Sequence, residues 1–309
     1  VAASTDERKA ALQALREAVA EAGLTIGPVV RAFEPFLRDD DRPVRLTAAK
    51  LFVTVAKADP DAVEPTIPTL RDRLADGEEF YYVRARSAEA LGYVARELPD
   101  AVATPAVLAE LRLGLDFDEP EVKVKLAKAL EHVALGDPER LTHQVANLAA
   151  HLDDETELVR YHLCSALAVV GCVAPASLAP AVEALCDRLT DETPQVRGRA
   201  AEALGVFARS DAKAVSVRST AADALRANSD AECGFLAERA RFALGVWDGT
   251  AGAAAVDGVG TVEELRDSTA DAAAAIRTPD GDDCPHCGVA LPDDGPPTCP
   301  RCGAPRRGV

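Results

Sequence analysis

DETPQVRGRAAEAL, residues 191–204, has a near copy upstream in DETELVRYHLCSAL, residues 154–167. Both place an acid five residues before a Val-Arg pair and a second basic group two residues after it. The frame recurs along the chain. Val44-Arg45, Val83-Arg84, Val122-Lys123, Val159-Arg160 and Val196-Arg197 follow one another at intervals of 39, 39, 37 and 37 residues, and a weaker unit centres on Leu236. Counting from each Val, small residues stand at plus five (Ala49, Ala88, Ala127, Cys164, Ala201). Bulky ones stand at plus eight (Phe52, Leu91, Leu130, Leu167, Leu204, Leu244) and plus eleven (Val55, Val94, Val133, Val170, Phe207, Trp247). Such steps mark one face of an α-helix. A second helical pattern precedes each of these, at 28–37, 63–74, 104–115, 141–152 and 178–189. Each unit is therefore a helical hairpin with more apolar face than it can bury alone, and stacking neighbours covers the excess.

A hairpin of this length, with an acid before Val-Arg and Ala-Ala-x-Ala-Leu after it, resembles the HEAT repeat in its short prokaryotic form. The resemblance implies an all-α fold: an α-solenoid of about six hairpins over residues 1–247, with 1–27 as an N-terminal capping helix. It also implies a binding scaffold, the commonest use of such repeats. Two catalytic relatives of the repeat are less apt. Di-iron hydroxylases of this type need His-Glu pairs, and the chain has no His-Glu dipeptide; Glu131-His132 is reversed and single. Bilin-attaching lyases have similar repeats, but a repeat says nothing about a pocket. No Gly-rich phosphate loop, GxSxG elbow or HExxH appears. The expectation is a protein that is not an enzyme, has no catalytic residues and shows no small-molecule substrate pattern.

On a wheel of about 100° per residue, the basic residue at plus one falls inside the apolar arc. A partly buried base needs a partner. The acid five residues before Val supplies one in the intervening turn: Asp39, Glu78, Asp154 and Asp191. With Arg45, Arg84, Lys123, Arg160 and Arg197 these acids are expected to form a structural ladder. The third unit departs from the pattern, with Phe117 between Asp116 and Asp118. Position plus three falls opposite the core and carries Thr47, Arg86, Lys125, His162, Arg199 and Arg239. Position plus ten lies on the same line and adds Tyr93 and His132. The candidate groove-binding residues are thus Arg86, Tyr93, Lys125, His132, His162, Arg199 and Arg239. Glu89 and Glu202, three residues after Arg86 and Arg199, offer local partners that would quench some of this charge.

The chain has 309 residues and a formal charge of −17, from 51 acids and 34 bases. Its bases are mostly Arg, and its aromatic content is only 4%. An Ala-, Leu- and Val-rich core suits close-packed helices. Acid excess spread along the chain with little Lys is the composition of a halophile's cytosolic protein, where molar salt screens repulsion to about 3 Å. No stretch reaches the ~18 apolar residues of a membrane span. The opening VAASTDERKAALQ lacks a signal pattern, so a cytoplasmic address is expected.

Residues 248–283 are rich in Gly, Ala and Asp and read as an acidic flexible linker. A short helix is expected within 262–276, where Thr261 and Glu264 fit a capping box. Residues 284–309 differ again. Cys284-x-x-Cys287 and Cys299-x-x-Cys302, each followed by Gly, resemble a zinc ribbon. Two such knuckles supply four thiolates in the tetrahedral arrangement that structural Zn²⁺ accepts, leaving no open position for catalysis. A module this small has almost no core, so metal would fold it. Cys164, Cys172, Cys186 and Cys233 sit among Ala and Leu and read as small packing residues.

Two functions follow from these features. The first is a protein–protein interaction scaffold that holds its partner in the concave groove, with the tethered zinc ribbon as a second contact. The alternative is a nucleic-acid- or ribosome-associated factor that grips phosphate with the basic stripe and the ribbon.

Overall fold

The computed structural model describes residues 4–22, 26–210, 219–249 and 258–277. The described residues are helical, with no strand among them. They fall into two compact units, 1–151 and 152–309. The first contains α1 (Thr5–Ala22), α2 (Arg42–Ala58), α3 (Pro60–Val63), α4 (Ile67–Ala75), α5 (Tyr81–Ala95), α6 (Pro99–Val102), α7 (Pro105–Leu113), α8 (Pro120–Gly136) and α9 (Val145–Ala149). The second contains α10 (Glu157–Val173), α11 (Val182–Asp187), α12 (Pro194–Phe207), α13 (Ser219–Ser229), α14 (Gly234–Trp247) and α15 (Val262–Arg277).

The two helices of a hairpin differ in quality. Second helices α2, α5, α8, α10, α12 and α14 run unbroken for 14 to 17 residues. They are built from Ala and Leu, and where proline occurs it stands in the first turn, as in α8 and α12, where its missing N–H has no helical partner to lose. First helices are short and pass into 3-10 turns at 27–38, 64–66, 114–116, 138–144, 175–181 and 188–190. Pro35, Pro65, Pro68 and Pro180 lie in these segments. Each removes an N–H donor and crowds the preceding turn.

In the first unit α1 packs on α2, α2 on α5 and α5 on α8. In the second α10 packs on α12, α12 on α14 and α13 on α14. The Val at position zero is fully buried at Val44, Val83, Val122, Val159 and Val196, as are Phe52, Leu91, Leu167 and Leu204 at plus eight. Glycine sets the spacing in places. A Cβ on Gly205 would lie 2.6 Å from the Phe242 ring, and one on Gly92 would lie 2.8 Å from Ala129 Cα. These helices approach more closely than alanine would allow.

The plus-one bases form rungs, with a different pairing from the one expected. Arg45 donates through Nη1 to the main-chain carbonyl of Asp39 at 2.8 Å, but its carboxylate partner is Glu79 of the following unit, with Nε–Oε2 at 2.7 Å. Arg160 repeats this, donating to the Asp154 carbonyl at 2.8 Å and to both Asp191 oxygens at 2.8 and 3.0 Å. Arg197 donates to the Asp191 carbonyl at 2.6 Å. A guanidinium is a wide fork, so one arm satisfies its own turn while the other spans to the next. The turn acids also receive backbone N–H groups: Asp39 from Asp41, Asp154 from Thr156 and Asp191 from Thr193. Glu78 is not the rung of its unit. It is exposed, and Glu79 takes the place, because this turn is one residue out of register. Lys123 holds the matching position on α8.

Two ends of the pattern are filled in other ways. Arg8 of α1 binds Asp39 at 3.0 Å and Asp41 at 2.7 Å, so the capping helix brings its own base to the first rung. Arg84, which meets Phe117 where other units have an acid, stacks its guanidinium over that ring at 4.8 Å and donates to the Leu74 carbonyl at 2.8 Å. A cation–π contact thus stands where other units place the next turn's acid, and Arg84 Nη2 finds its carboxylate instead on Glu110, 3.6 Å away.

Candidate functional site

The plus-three positions do not face open solvent. Thr47 is buried and donates back to the Pro43 carbonyl. His162, Arg199 and Arg239 are 1, 0 and 2% exposed, and Arg86 and Lys125 are half-buried. A single-helix wheel counts only the partner within the hairpin. In a stack each second helix is also flanked by its neighbours, so the enclosed arc widens.

In the first unit these residues converge on Glu89, which is 5% exposed. Arg86 Nη1 lies 2.7 Å from its Oε2, Lys125 Nζ 3.0 Å from its Oε1, and Lys128 Nζ 3.7 Å from its Oε1. Lys128 also donates to the Tyr93 hydroxyl at 2.7 Å, and the Tyr93 and His132 rings meet edge-on at 4.7 Å. Burial would raise the Glu89 carboxyl, but Lys125, Arg86 and Lys128 hold it well below the usual range. Burial pushes the Lys125 amine down to about 8; Glu89 opposes this, while Arg86 and Lys128 reinforce it.

The second unit has the same arrangement around Glu202. Arg199 Nη1 lies 2.6 Å from Glu202 Oε2, and Arg239 Nε lies 3.0 Å from the same oxygen. Here α15 covers the cluster, packing on α10 and α12. Glu264 pairs with Arg239 and lies 3.6 Å from Arg199. Ser268 accepts from Arg199 and, at 3.3 Å, from Arg239. The Gly260 N–H donates to Glu202 Oε1 at 2.9 Å, and Arg209 donates to the Gly260 carbonyl at 2.7 Å. Gly260 has φ +77°, a conformation that L side chains rarely adopt, and a Cβ there would strike Phe242. Phe235 stacks on both guanidiniums, 3.7 Å from Arg239 and 5.1 Å from Arg199.

The helix expected within 262–276 is therefore α15, laid on second helices α10 and α12 of its unit with Leu265, Thr269, Ala272 and Ala273 buried. Its capping box is half made. The Glu264 N–H donates to Thr261 Oγ1 at 3.3 Å, but the Glu264 carboxylate goes to the arginines. Sequence reasoning placed Arg199 and Arg239 on a binding face; their nearest ligand belongs to the same chain. The signal was a carboxylate in the first turn of a helix preceded by Gly258 and Gly260.

The predicted metal ligands Cys284, Cys287, Cys299 and Cys302 lie outside the described residues, as does the whole segment 278–309. Among the described residues no cluster of His, Cys, Asp and Glu could hold a metal ion. Burial pushes the Cys164 and Cys172 thiols up to about 12, which removes them from thiolate chemistry. No described helix is long and apolar enough to cross a membrane.

The HEAT repeat family model matches residues 181–210. No curated protein matches the chain. Among solved structures, an engineered protein has a TM-score of 0.63 at 21% identity, covering 72% of this chain and 97% of that one. A designed armadillo repeat protein in complex with the peptide (KR)4 scores 0.62 at 19% identity, covering 71% and 99%. A computationally designed armadillo repeat protein for modular peptide recognition scores 0.61 at 20% identity, also covering 71% and 99%. Residues 181–210, which include α11 and α12, match the HEAT repeat by sequence, and about seven-tenths of the chain is similar in fold to these designed helical-repeat proteins.

Proposed function

We propose that this chain is a non-catalytic scaffold that binds a segment of another protein on the inner, second-helix face of its first unit, with a C-terminal zinc ribbon as a second contact. The observation that carries the reading is the pair of equivalent clusters. In the second unit the inner face holds a helix, α15, through Arg199 and Arg239. In the first unit Arg86, Lys125 and Lys128 occupy the corresponding place and remain partly exposed. Repeat folds of this kind serve in peptide recognition, as the designed armadillo protein bound to (KR)4 illustrates. The sign of the charge is reversed here, since the partly exposed groups are cations.

RNA or DNA along a continuous basic stripe has less support. Arg199 and Arg239, two of the cations that would grip phosphate, are enclosed with Glu202 and Glu264. Four thiolates at 284, 287, 299 and 302 suit structural Zn²⁺ by their spacing.

Selection of a displayed peptide library against the full chain tests the scaffold reading. Enriched peptides should lose binding to a Lys125→Met/Lys128→Met variant. Absence of enrichment, or binders indifferent to both substitutions, would overturn it.

A further inference from the structure

The two inner-face clusters are one device written twice. Residues 86–92 read RSAEALG and residues 199–205 read RAAEALG. In each, an Arg and a Glu three residues later lie one turn apart on a second helix. A cation from the next second helix, Lys125 or Arg239, closes on the same Glu from the other side. Each is a clamp: a buried carboxylate held between two bases from adjacent helices.

Their charge balance differs. In the second unit Arg199 and Arg239 face Glu202, and Glu264 of α15 supplies the remaining negative charge, so two guanidiniums meet two carboxylates. In the first unit Arg86, Lys125 and Lys128 all lie within 4.0 Å of the single carboxylate of Glu89. Their side chains keep 19, 20 and 16% exposure, against 0 and 2% for Arg199 and Arg239 beneath α15. The first clamp has the cations of the second and lacks what Glu264 provides.

We propose that the Arg86–Glu89–Lys125–Lys128 clamp receives a carboxylate carried on an amphipathic helix of a partner protein, as its counterpart receives Glu264 of α15. The proposal rests on the scaffold reading and names the chemistry of the partner. The second unit supplies the details of that chemistry. Glu264 stands in the first turn of its helix, and Ser268, four residues on, adds a hydroxyl that both arginines reach. Small residues follow on the same face, with Ala272 and Ala273 buried against the inner helices. A matching partner thus carries an acid, a Ser or Thr one turn later, and alanines beyond. At the first clamp the Tyr93 ring, with Lys128 4.6 Å above its centroid, offers the apolar shoulder for those small residues.

The probe is an N-acetylated, fluorophore-labelled peptide with the sequence of residues 258–277, titrated with the full chain. Saturable binding is expected. It should weaken about tenfold or more for the Glu263→Gln/Glu264→Gln peptide and for the Lys125→Met/Lys128→Met chain. Arg86→Lys, which keeps the charge, should retain most of the affinity. Exchange into the second clamp is detected by an Arg239→Lys chain; a loss of binding there with none at Lys125→Met/Lys128→Met would overturn the proposal. So would binding indifferent to the acid-to-amide change, or no binding at all. If library binders depend on Lys125 and Lys128 yet carry no acid, the acidic-helix assignment fails while the scaffold reading stands.

Discussion

Replacing Glu202 by Gln should be among the most damaging single changes on the inner face. The Arg199, Glu202 and Arg239 side chains are 0, 0 and 2% exposed. Opposite unit charges 3 Å apart interact by roughly 5 kcal/mol at an effective dielectric constant near 20. Desolvation offsets part of that in the intact protein, but removing one partner leaves two buried guanidiniums to share Glu264. The expected loss is about 3–5 kcal/mol. Urea unfolding followed by the fluorescence of Trp247 measures it, because the single tryptophan of the chain ends α14. Salt provides the control. At molar ionic strength the screening length is about 3 Å, which silences an exposed pair such as Arg226–Asp223 but does not reach a sealed one. The Glu202→Gln loss should therefore persist in molar salt. Burial alone would raise the Glu202 carboxyl, yet Arg199 and Arg239 hold it below its ordinary 4.5. A depressed carboxyl stabilises the fold above its unfolded value and stops doing so as pH falls through the folded one. Wild type should accordingly lose its margin over Glu202→Gln only in acid. A loss below about 1 kcal/mol, or one that disappears in molar salt, would mean that the cluster is hydrated and that the argument is wrong.

Other expectations are smaller in scope. Phe117→Ala removes the ring under Arg84 and should destabilise the first unit by about 1–2 kcal/mol through lost packing and cation–π contact, while Phe117→Asp, which writes the acid of the other units, should recover part of this in a thermal melt. Gly205→Ala drives a methyl group into Phe242 and should cost about 1–3 kcal/mol in the same assay. The Lys125 amine should titrate near 8 by NMR. Because the unfolded chain then holds a proton that the folded one has released, stability relative to Lys125→Met should rise as pH climbs from about 8 toward 10.5. Metal analysis of the full chain should find one zinc, lost on Cys284→Ser; retention would count against four-thiolate ligation.

The periodicity of Val-Arg pairs and the steps of four, three and four decided the helical hairpin and its apolar stripe, because both follow from a helical repeat of about 3.6 residues. The interruption of first helices was not read from the apolar pattern, which gave 28–37, 63–74 and 178–189 as plain helices, although Pro35, Pro65, Pro68 and Pro180 stand in them. What the sequence could not reveal was the partner of each charged group. Arg45 and Arg160 reach past their own turns to Glu79 and Asp191 of the next unit, a choice made by the spacing of stacked helices. The fate of Arg199 and Arg239 was still further from reach. Residues 248–283 read as linker by composition, yet α15 lies over those arginines with Glu264 and Ser268 aimed at them. Local pattern determined which residues share a helix face. Only the tertiary structure decided what covers that face, since a charge is satisfied by whatever group the fold brings within about 3 Å, however far away it stands in the chain.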